Sequence, residues 1–217
     1  REALLNNEFV LHYQPEINMK TGEIIAVEAL IRWQHPESGL LYPNEFLSVV
    51  EGSDLEFDLG LWVVESALSQ LQQWQQAGLN LVVSVNIAAN HLHAINFIQS
   101  LQQILSRYPD IKPSSLQLEI LESSTLGDVH TLSRIIDECR HQVGVQIALD
   151  DFGTGYSSLT HLRHLAANSV KIDQSFVRDM LEDPSDYNIV DGVISLAKAF
   201  NRQVIAEGVE TIEHGLM

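Results

Sequence analysis

The sequence alternates between short β-branched runs and longer amphipathic segments, and this alternation limits the fold more than any other feature. Strands that alternate with helices are typical of an α/β protein with a mostly parallel sheet. The predicted strands are residues 9–17, 23–30, 81–86, 116–120, 145–150, 169–173 and 203–207. Three of the segments between them have helical periodicity, at residues 59–77, 128–143 and 186–200.

The first two predicted strands are joined by only five residues, 18–22. Because a connection this short cannot form a crossover, the two strands are expected to be antiparallel. The sequence therefore predicts a TIM-like (β/α) barrel with an antiparallel first strand. A barrel of this class has eight strands, so we expect the C-terminal strand and helix to be absent from this chain. We also expect residues 1–217 to be a single domain of a longer protein.

Composition limits the function. A formal net charge of −17 disfavours non-specific binding to DNA. No apolar run approaches 18 residues, so this chain should contain no membrane segment. The one cysteine, Cys139, cannot form an internal disulfide, which fits a cytoplasmic location, with a tether to the inner membrane through other segments left open. Cys139 lies in a helix-like stretch and is expected to be a packing residue rather than a nucleophile.

Nearly every predicted strand ends in an acidic or amide residue. These residues are Glu28, Asn86, Glu119, Asp150, Asp151 and Glu207, with Lys171 in the sixth strand. The C-terminal strand ends of a barrel meet at one mouth, and so many carboxylates cannot all stay ionised there without cations. Oxygen ligands favour Mg²⁺ or Mn²⁺ over zinc. One such residue after a strand is commonly a helix cap or turn residue, but five acids and one amide together indicate a metal-dependent hydrolase or lyase.

The nine histidines raise the alternative of a zinc site. The closest pairs are His91 with His93 and His161 with His164. Neither spacing is one that a structural zinc site requires. Both pairs are expected on the surface rather than around a metal ion.

Several motifs resemble those of the EAL domain, and they occur in the family's order over essentially the whole chain. Glu28-Ala29-Leu30 resembles the signature that names the family, and Ile31-Arg32-Trp33 follows it. The other matching segments are residues 13–15, 84–86, 118–123, 150–159, 170–173 and 206–211. The resemblance implies the barrel with a reversed first strand. It also implies a cyclic-di-GMP phosphodiesterase that forms linear pGpG with two Mg²⁺ or Mn²⁺ ions.

The same resemblance assigns roles to the residues at the strand ends. Glu28, Asn86, Glu119 and Asp150 would hold one ion, and Asp150, Asp151 and Glu207 would hold the second, with Asp150 bridging. Two such ions can activate a water and assist in-line displacement at phosphorus. The catalytic residues would be Lys171, Glu207 and Glu28. Lys171 would hold the attacking water, while Glu207 is a general base or only a ligand.

The remaining implied roles concern substrate and regulation. Arg32 would bind a phosphate of the dinucleotide, and Gln14, Leu30 and Asp173 would also contact the dinucleotide. The loop 151–159 would turn at Gly153 and Gly155 and link the metals to a dimer-forming face. Glu122 would anchor this loop, and Glu210 is an analogous position. The family implies a homodimer fused to a sensory, receiver or GGDEF-type domain.

Two other functions compete with this reading. Catalytically inactive relatives act as cyclic-di-GMP receptors, but here every matched metal and lysine position is intact, which favours catalysis. A metal-dependent lyase would explain the acids but not Arg32 together with the loop 151–159.

The sequence departs from the family pattern at two places. His214 replaces a Gln that is common in the family, and the family's last strand has no counterpart, so this chain alone is expected to be weakly active or inactive.

Overall fold

The computed structural model describes residues 1–122, 129–154 and 162–217, with the side chain of residue 89 outside the description. The chain forms two compact units, Arg1–Leu118 and Glu119–Met217.

The elements alternate much as the sequence predicts. The strands of the first unit are β1 (Phe9–Ile17), β2 (Ile24–His35), β3 (Gly39–Leu41) and β4 (Val82–Asn86). Its helices are α1 (Glu2–Leu5), α2 (Pro43–Val50), α3 (Asp54–Gln76), α4 (Ala89–Leu92) and α5 (Phe97–Leu105), with a 3₁₀ turn at Pro113–Ser115. Strand β5 (Leu116–Leu121) includes the boundary between the units. The second unit contains α6 (Val129–Glu138) with a π-helical continuation at Cys139–Val143, β6 (Gln146–Phe152), β7 (Ser169–Ile172), α7 (Gln174–Asp179), α8 (Pro184–Ala199), β8 (Gln203–Ala206) and α9 (Ile212–Leu216).

The reversed first strand is confirmed. Strands β1 and β2 pair antiparallel, from Phe9 opposite Trp33 to Ile17 opposite Ile24. Their connection is a tight turn in which the Gly22 backbone N–H donates to the Asn18 carbonyl at 2.7 Å. Gly22 has a φ of 72°, a left-handed conformation that glycine adopts without strain. Strand β4 then pairs with β2 in parallel.

Strand β3 was not predicted, and it pairs antiparallel with the end of β2. Three residues are too few for period-two alternation to stand out in a sequence. Strand β2 also runs on to His35, five residues past the predicted end. Its second half follows the signature motif, where Arg32 and Gln34 interrupt the apolar run. Both differences place a second hairpin beside Arg32.

In the second unit, β6, β7 and β8 pair in parallel in that order. Helix α8 lies between β7 and β8 in the chain and packs on both strands, as expected for a crossover in a parallel sheet. All four residues of β7 are buried. A charged residue on this strand is therefore held in the interior.

Helix α3 contributes one buried face to the core of the first unit. This helix buries one apolar stripe, made of Leu59, Val63, Val64, Ala67, Leu68 and Leu71. The spacing matches one face of a helix. The helix begins at Asp54, five residues before the predicted start. Two acidic residues in its first turn, Asp54 and Glu56, stabilise this end because they lie at the positive end of the helix dipole. Among the described helices, none is both long and apolar enough to cross a membrane.

Candidate active site

The ammonium of Lys171 lies among three carboxylates in the interior of the second unit. Its Nζ is 2.8 Å from Oε2 of Glu119, 2.7 Å from Oε1 of Glu207 and 3.5 Å from Oδ1 of Asp150. Only 2% of the lysine is exposed. A cation this deeply buried is stable only when paired. Strands β5, β6 and β7 and the residue after β8 therefore supply one compact charged cluster.

Asp150 and Asp151 both belong to strand β6, whereas the predicted strand ended at Asp150. Adjacent residues of a regular strand point to opposite faces. Here the pairing of β6 with β7 shifts register between Leu149 and Phe152, and Asp151 has a φ of 53°. This irregularity breaks the alternation and brings both carboxylates to the same side.

Asp150, Asp151 and Glu207 form a group that could hold a metal ion. Each offers one carboxylate oxygen, and these oxygens lie within 4.8 Å of one another. Burial, followed by the charges of Asp150 and Asp173, raises the pKa of Asp151 from 3.8 to about 6. Two neighbouring carboxylates repel each other when both are ionised, and this repulsion raises the pKa of one of them. A cation bound between them favours the ionised form of both. The all-oxygen donor set fits a hard divalent cation such as Mg²⁺ or Mn²⁺.

The residues after Asp151 are tied to β5 through Glu122. The Gly153 backbone N–H donates to Oε2 of Glu122 at 3.0 Å, and Glu122 is fully buried. Gly153 has a φ of 105°, and a Cβ there would lie 3.1 Å from the ring of Phe176. Glycine is thus required by both conformation and space. Gly155 and the rest of the loop 155–159 lie outside the described residues.

The first unit holds a second group of predicted site residues. Nδ2 of Asn86, the last residue of β4, donates to Oε1 of Glu28 at 2.8 Å. Glu28 lies inside β2 rather than at its end, but the parallel pairing with β4 ends one residue later, at Ala29. Glu28, Leu30 and Arg32 alternate along one face of β2. Gln14 on β1 is the direct partner of Glu28 across the antiparallel pair.

Asp173 has a local structural role, and the predicted position Glu210 and the departure at His214 lie after β8 in the chain. Oδ1 of Asp173 accepts a hydrogen bond from the Ser175 backbone N–H at 2.9 Å, so Asp173 is the N-cap of α7. Its side chain also bonds Asp151, which helps to raise the pKa of that carboxyl. Glu210 is exposed after β8. His214 bonds Thr211 and the Arg178 carbonyl.

The structure corrects one prediction and supports another outside the site. His91 was expected on the surface, but it is buried between the rings of Phe57 and Phe97, at 4.5 and 5.0 Å. Burial lowers its pKa to about 4. His93 is exposed, whereas His161 lies outside the described residues. Cys139 is buried, and burial raises its pKa to about 12, so it is an unreactive packing thiol.

One residue beside Arg32 in the first unit was not singled out from the sequence. Tyr42 follows β3, and its ring lies under the guanidinium of Arg32, with Cζ 4.8 Å from the ring centroid. The only sequence signal is an aromatic residue a few positions after the signature strand. Without knowledge that β3 folds back on β2, this signal cannot be separated from an ordinary surface tyrosine.

Comparison with known proteins shows close relatives. A family model described as the EAL domain matches residues 1–214. The chain is 40% identical over 211 residues to the cyclic di-GMP phosphodiesterase PdeR of Escherichia coli, covering 97% of this chain and 32% of that protein. It is 39% identical to the bifunctional diguanylate cyclase/cyclic di-GMP phosphodiesterase MucR of Pseudomonas aeruginosa, covering 97% of this chain and 31% of that protein. The chain thus spans about a third of the length of these relatives.

A solved structure agrees with the sequence comparisons. The PaMucR phosphodiesterase in complex with c-di-GMP superposes with a TM-score of 0.93 at 37% identity, covering 100% of this chain and 87% of that one. The predicted fold class, a TIM-like α/β fold of mostly parallel strands with an antiparallel first strand, is confirmed by this likeness. With the family model matching nearly its full length, this chain belongs to the EAL domain family.

Proposed function

We propose that this domain is a phosphodiesterase that hydrolyses cyclic-di-GMP to linear pGpG with two divalent cations. The observation that carries the proposal is the buried Lys171 ammonium among Glu119, Asp150 and Glu207. Family membership supports the substrate, because PdeR is named a cyclic di-GMP phosphodiesterase and the PaMucR phosphodiesterase structure is a c-di-GMP complex.

The acidic group of the second unit is suited to hold the cations. Asp150, Asp151 and Glu207 present oxygen ligands, and the raised pKa of Asp151 marks a carboxylate in need of positive charge. Glu119 is a fourth ligand in the proposal, and Glu28 and Asn86 are further proposed ligands that the family resemblance assigns. Divalent cations of this kind activate water as a nucleophile and offset negative charge on a phosphodiester. Mg²⁺ and Mn²⁺ both match the donor set.

Lys171 holds the attacking water in the proposed reaction. Its Nζ is fixed by the carboxylates of Glu119 on β5 and Glu207 just after β8, so the ammonium points to one place without a loss of side-chain freedom during the reaction. A fixed cation stabilises the negative charge that develops as water adds to phosphorus. Glu207 accepts the proton of that water in the proposal, since it contacts Lys171 and belongs to the candidate metal group.

The face of β2 binds the dinucleotide in the proposal. Arg32 supplies a planar group that can bond two phosphate oxygens. Gln14, Leu30 and Asp173 are further proposed contacts of the dinucleotide. The bond from Gly153 to Glu122 holds the start of the loop after Asp151, and we assign Glu122 the role of loop anchor, with Glu210 as a weaker candidate. The remaining proposals are homodimerisation, fusion to sensory, receiver or GGDEF-type domains, and a cytoplasmic location.

Product analysis tests the proposed function. The full-length protein that contains this domain is incubated with cyclic-di-GMP and Mn²⁺ or Mg²⁺, with EDTA in a parallel sample, and the nucleotides are separated by chromatography. We expect pGpG only in the samples with metal. Glu28→Ala should lower the rate at least 100-fold, a loss typical of catalytic groups. Glu182→Gln removes one exposed carboxylate in the second unit and should leave the rate unchanged.

Three other outcomes would each contradict one part of the proposal. Tight binding of cyclic-di-GMP without product would place the protein with the receptors. A wild-type rate for Glu28→Ala would show that Glu28 is not a metal ligand. Product formation in EDTA would contradict the requirement for a cation.

A further inference from the structure

Among the described residues, the guanidinium of Arg32 contacts an aromatic ring and no carboxylate. Its guanidinium stacks on Tyr42 at 4.8 Å from Cζ to the ring centroid. Nη1 donates to the Ile31 carbonyl at 2.8 Å, which is the one hydrogen bond that the Arg32 side chain makes within the described part of the chain. Nε is shielded from water and has no hydrogen-bond partner there. The side chain therefore keeps unused donors.

The backbone of Tyr42 is fixed independently of its ring. Strand β3 pairs with the end of β2, with Leu41 opposite Trp33, and Tyr42 comes next. The Tyr42 backbone N–H donates to Oε2 of Glu45 at 2.7 Å, and the Glu45 backbone N–H donates to the Tyr42 carbonyl at 2.9 Å. A change in the side chain of Tyr42 should thus leave the hairpin and the start of α2 in place.

The ring of Tyr42 gains little from its own burial. The residue is 52% exposed. The stack on Arg32 is thus the main contact that orients the ring. Stacking uses the face of a guanidinium and leaves its edge, where the N–H groups lie, for oxygen ligands. A carboxylate partner would occupy that edge instead.

We infer that Tyr42 is a positioning residue, which holds the guanidinium of Arg32 with its edge open to a phosphate of cyclic-di-GMP. This inference rests on the proposed function, and it adds a residue that lies outside the motifs quoted above. An arginine side chain has several rotatable bonds, and each must be fixed when it binds a phosphate. The stack fixes them before the substrate arrives. Loss of the ring therefore weakens substrate binding and leaves the chemical step intact.

Steady-state kinetics on two variants test the role of the ring. Tyr42→Leu removes it, and we expect KM to rise roughly 3- to 10-fold at unchanged kcat, the fold-change of one cation–π contact. Tyr42→Phe keeps the ring and should retain the wild-type KM. A Phe variant as impaired as the Leu variant would overturn the inference, because the hydroxyl would then be the working group. A fall in kcat at constant KM would overturn it as well.

A double-mutant cycle separates positioning from direct contact with the substrate. In an Arg32→Ala background, Tyr42→Leu should change KM by less than twofold, since no guanidinium remains to be oriented. The same rise in KM in both backgrounds would mean that Tyr42 touches the substrate itself. A lower KM in Tyr42→Leu would mean that the ring covers the arginine and competes with the substrate. Either result contradicts the positioning role.

Nuclear magnetic resonance tests the stack apart from the activity. The ring current of Tyr42 should displace the Nε–H proton resonance of Arg32 in the wild type and in Tyr42→Phe, and not in Tyr42→Leu. The signal is assigned by its loss in Arg32→Ala. A resonance at the same position in all three proteins overturns the inference even if the enzyme is active. A displaced resonance in a wild-type protein that neither binds nor cleaves cyclic-di-GMP overturns the proposed function and leaves the stack established.

Discussion

At the scale of single residues, Lys171 combines a structural and a chemical role that one substitution can separate. In Lys171→Met, Glu119 and Glu207 lose the ammonium that compensates them, and removal of one partner of a buried ion pair costs about 3–5 kcal/mol. We therefore expect the metal-free variant to unfold at clearly lower urea concentration. Added Mn²⁺ should restore part of this stability by supplying positive charge. Activity should stay lost, because the water-holding group is gone.

Urea unfolding with Mn²⁺ and with EDTA, together with pGpG formation, measures both roles of Lys171. Lys198→Met is the matched control, because Lys198 is exposed near the end of α8 in the same unit. It should change the free energy of unfolding by no more than about 0.5 kcal/mol. The rate of pGpG formation should stay at the wild-type value. If Mn²⁺ restored the activity of Lys171→Met, the lysine would be a structural counter-ion only.

The packing of helices α3 and α4 depends on a glycine that helix propensity disfavours. A Cβ at Gly60 in α3 would overlap Nδ1 and Cε1 of His91 in α4. Gly60→Ala should therefore destabilise the protein by about 1–3 kcal/mol through overpacking, although alanine favours a helix by about 1 kcal/mol. Chemical unfolding monitored by circular dichroism gives the difference.

Two further variants identify the cause at Gly60. Gly192 lies in α8 with nothing within 4 Å of an added Cβ, so Gly192→Ala should stabilise by about 0.5–1 kcal/mol. In a His91→Ala background, Gly60→Ala should also become stabilising, because the obstructing ring is absent. If Gly60→Ala stayed destabilising there, the ring of His91 would not be the reason for the glycine.

The elements also show where prediction from the sequence ends. Strand positions follow from local β-branched runs, and the short turn at 18–22 was enough to predict the reversed first strand. The bulge in β6 could not be predicted, since the alternation rule places Asp150 and Asp151 on opposite faces. The burial of His91 depends on Gly60, 31 positions away, and local sequence carries no sign of it. Residue types at the strand ends predicted the chemistry of the candidate site, while tertiary contacts decide its geometry.

At the scale of the whole molecule, the net charge of −17 makes the stability of this protein sensitive to cations and to pH. The folded pKa of Asp151, about 6, lies above its ordinary value of 3.8. The folded state therefore holds an extra proton between these values, and the stability from that proton is lost as pH rises through 6. Metal ligands must be deprotonated. We expect Mn²⁺ to raise Tm at pH 7.5 and to have a smaller effect at pH 5, where its apparent affinity falls up to roughly tenfold.

General screening of a strongly acidic chain must be distinguished from binding at one site. Sodium chloride at matched ionic strength should reproduce little of the rise in Tm. Asp151→Asn and Glu182→Gln remove the same single charge, but only the former alters the candidate metal group, and only the former should lose the dependence of the Mn²⁺ effect on pH. If both variants kept that dependence, the cation would act through the overall charge. If only Asp151→Asn lost it, the acidity of one carboxyl would link cation binding to the stability of the whole fold.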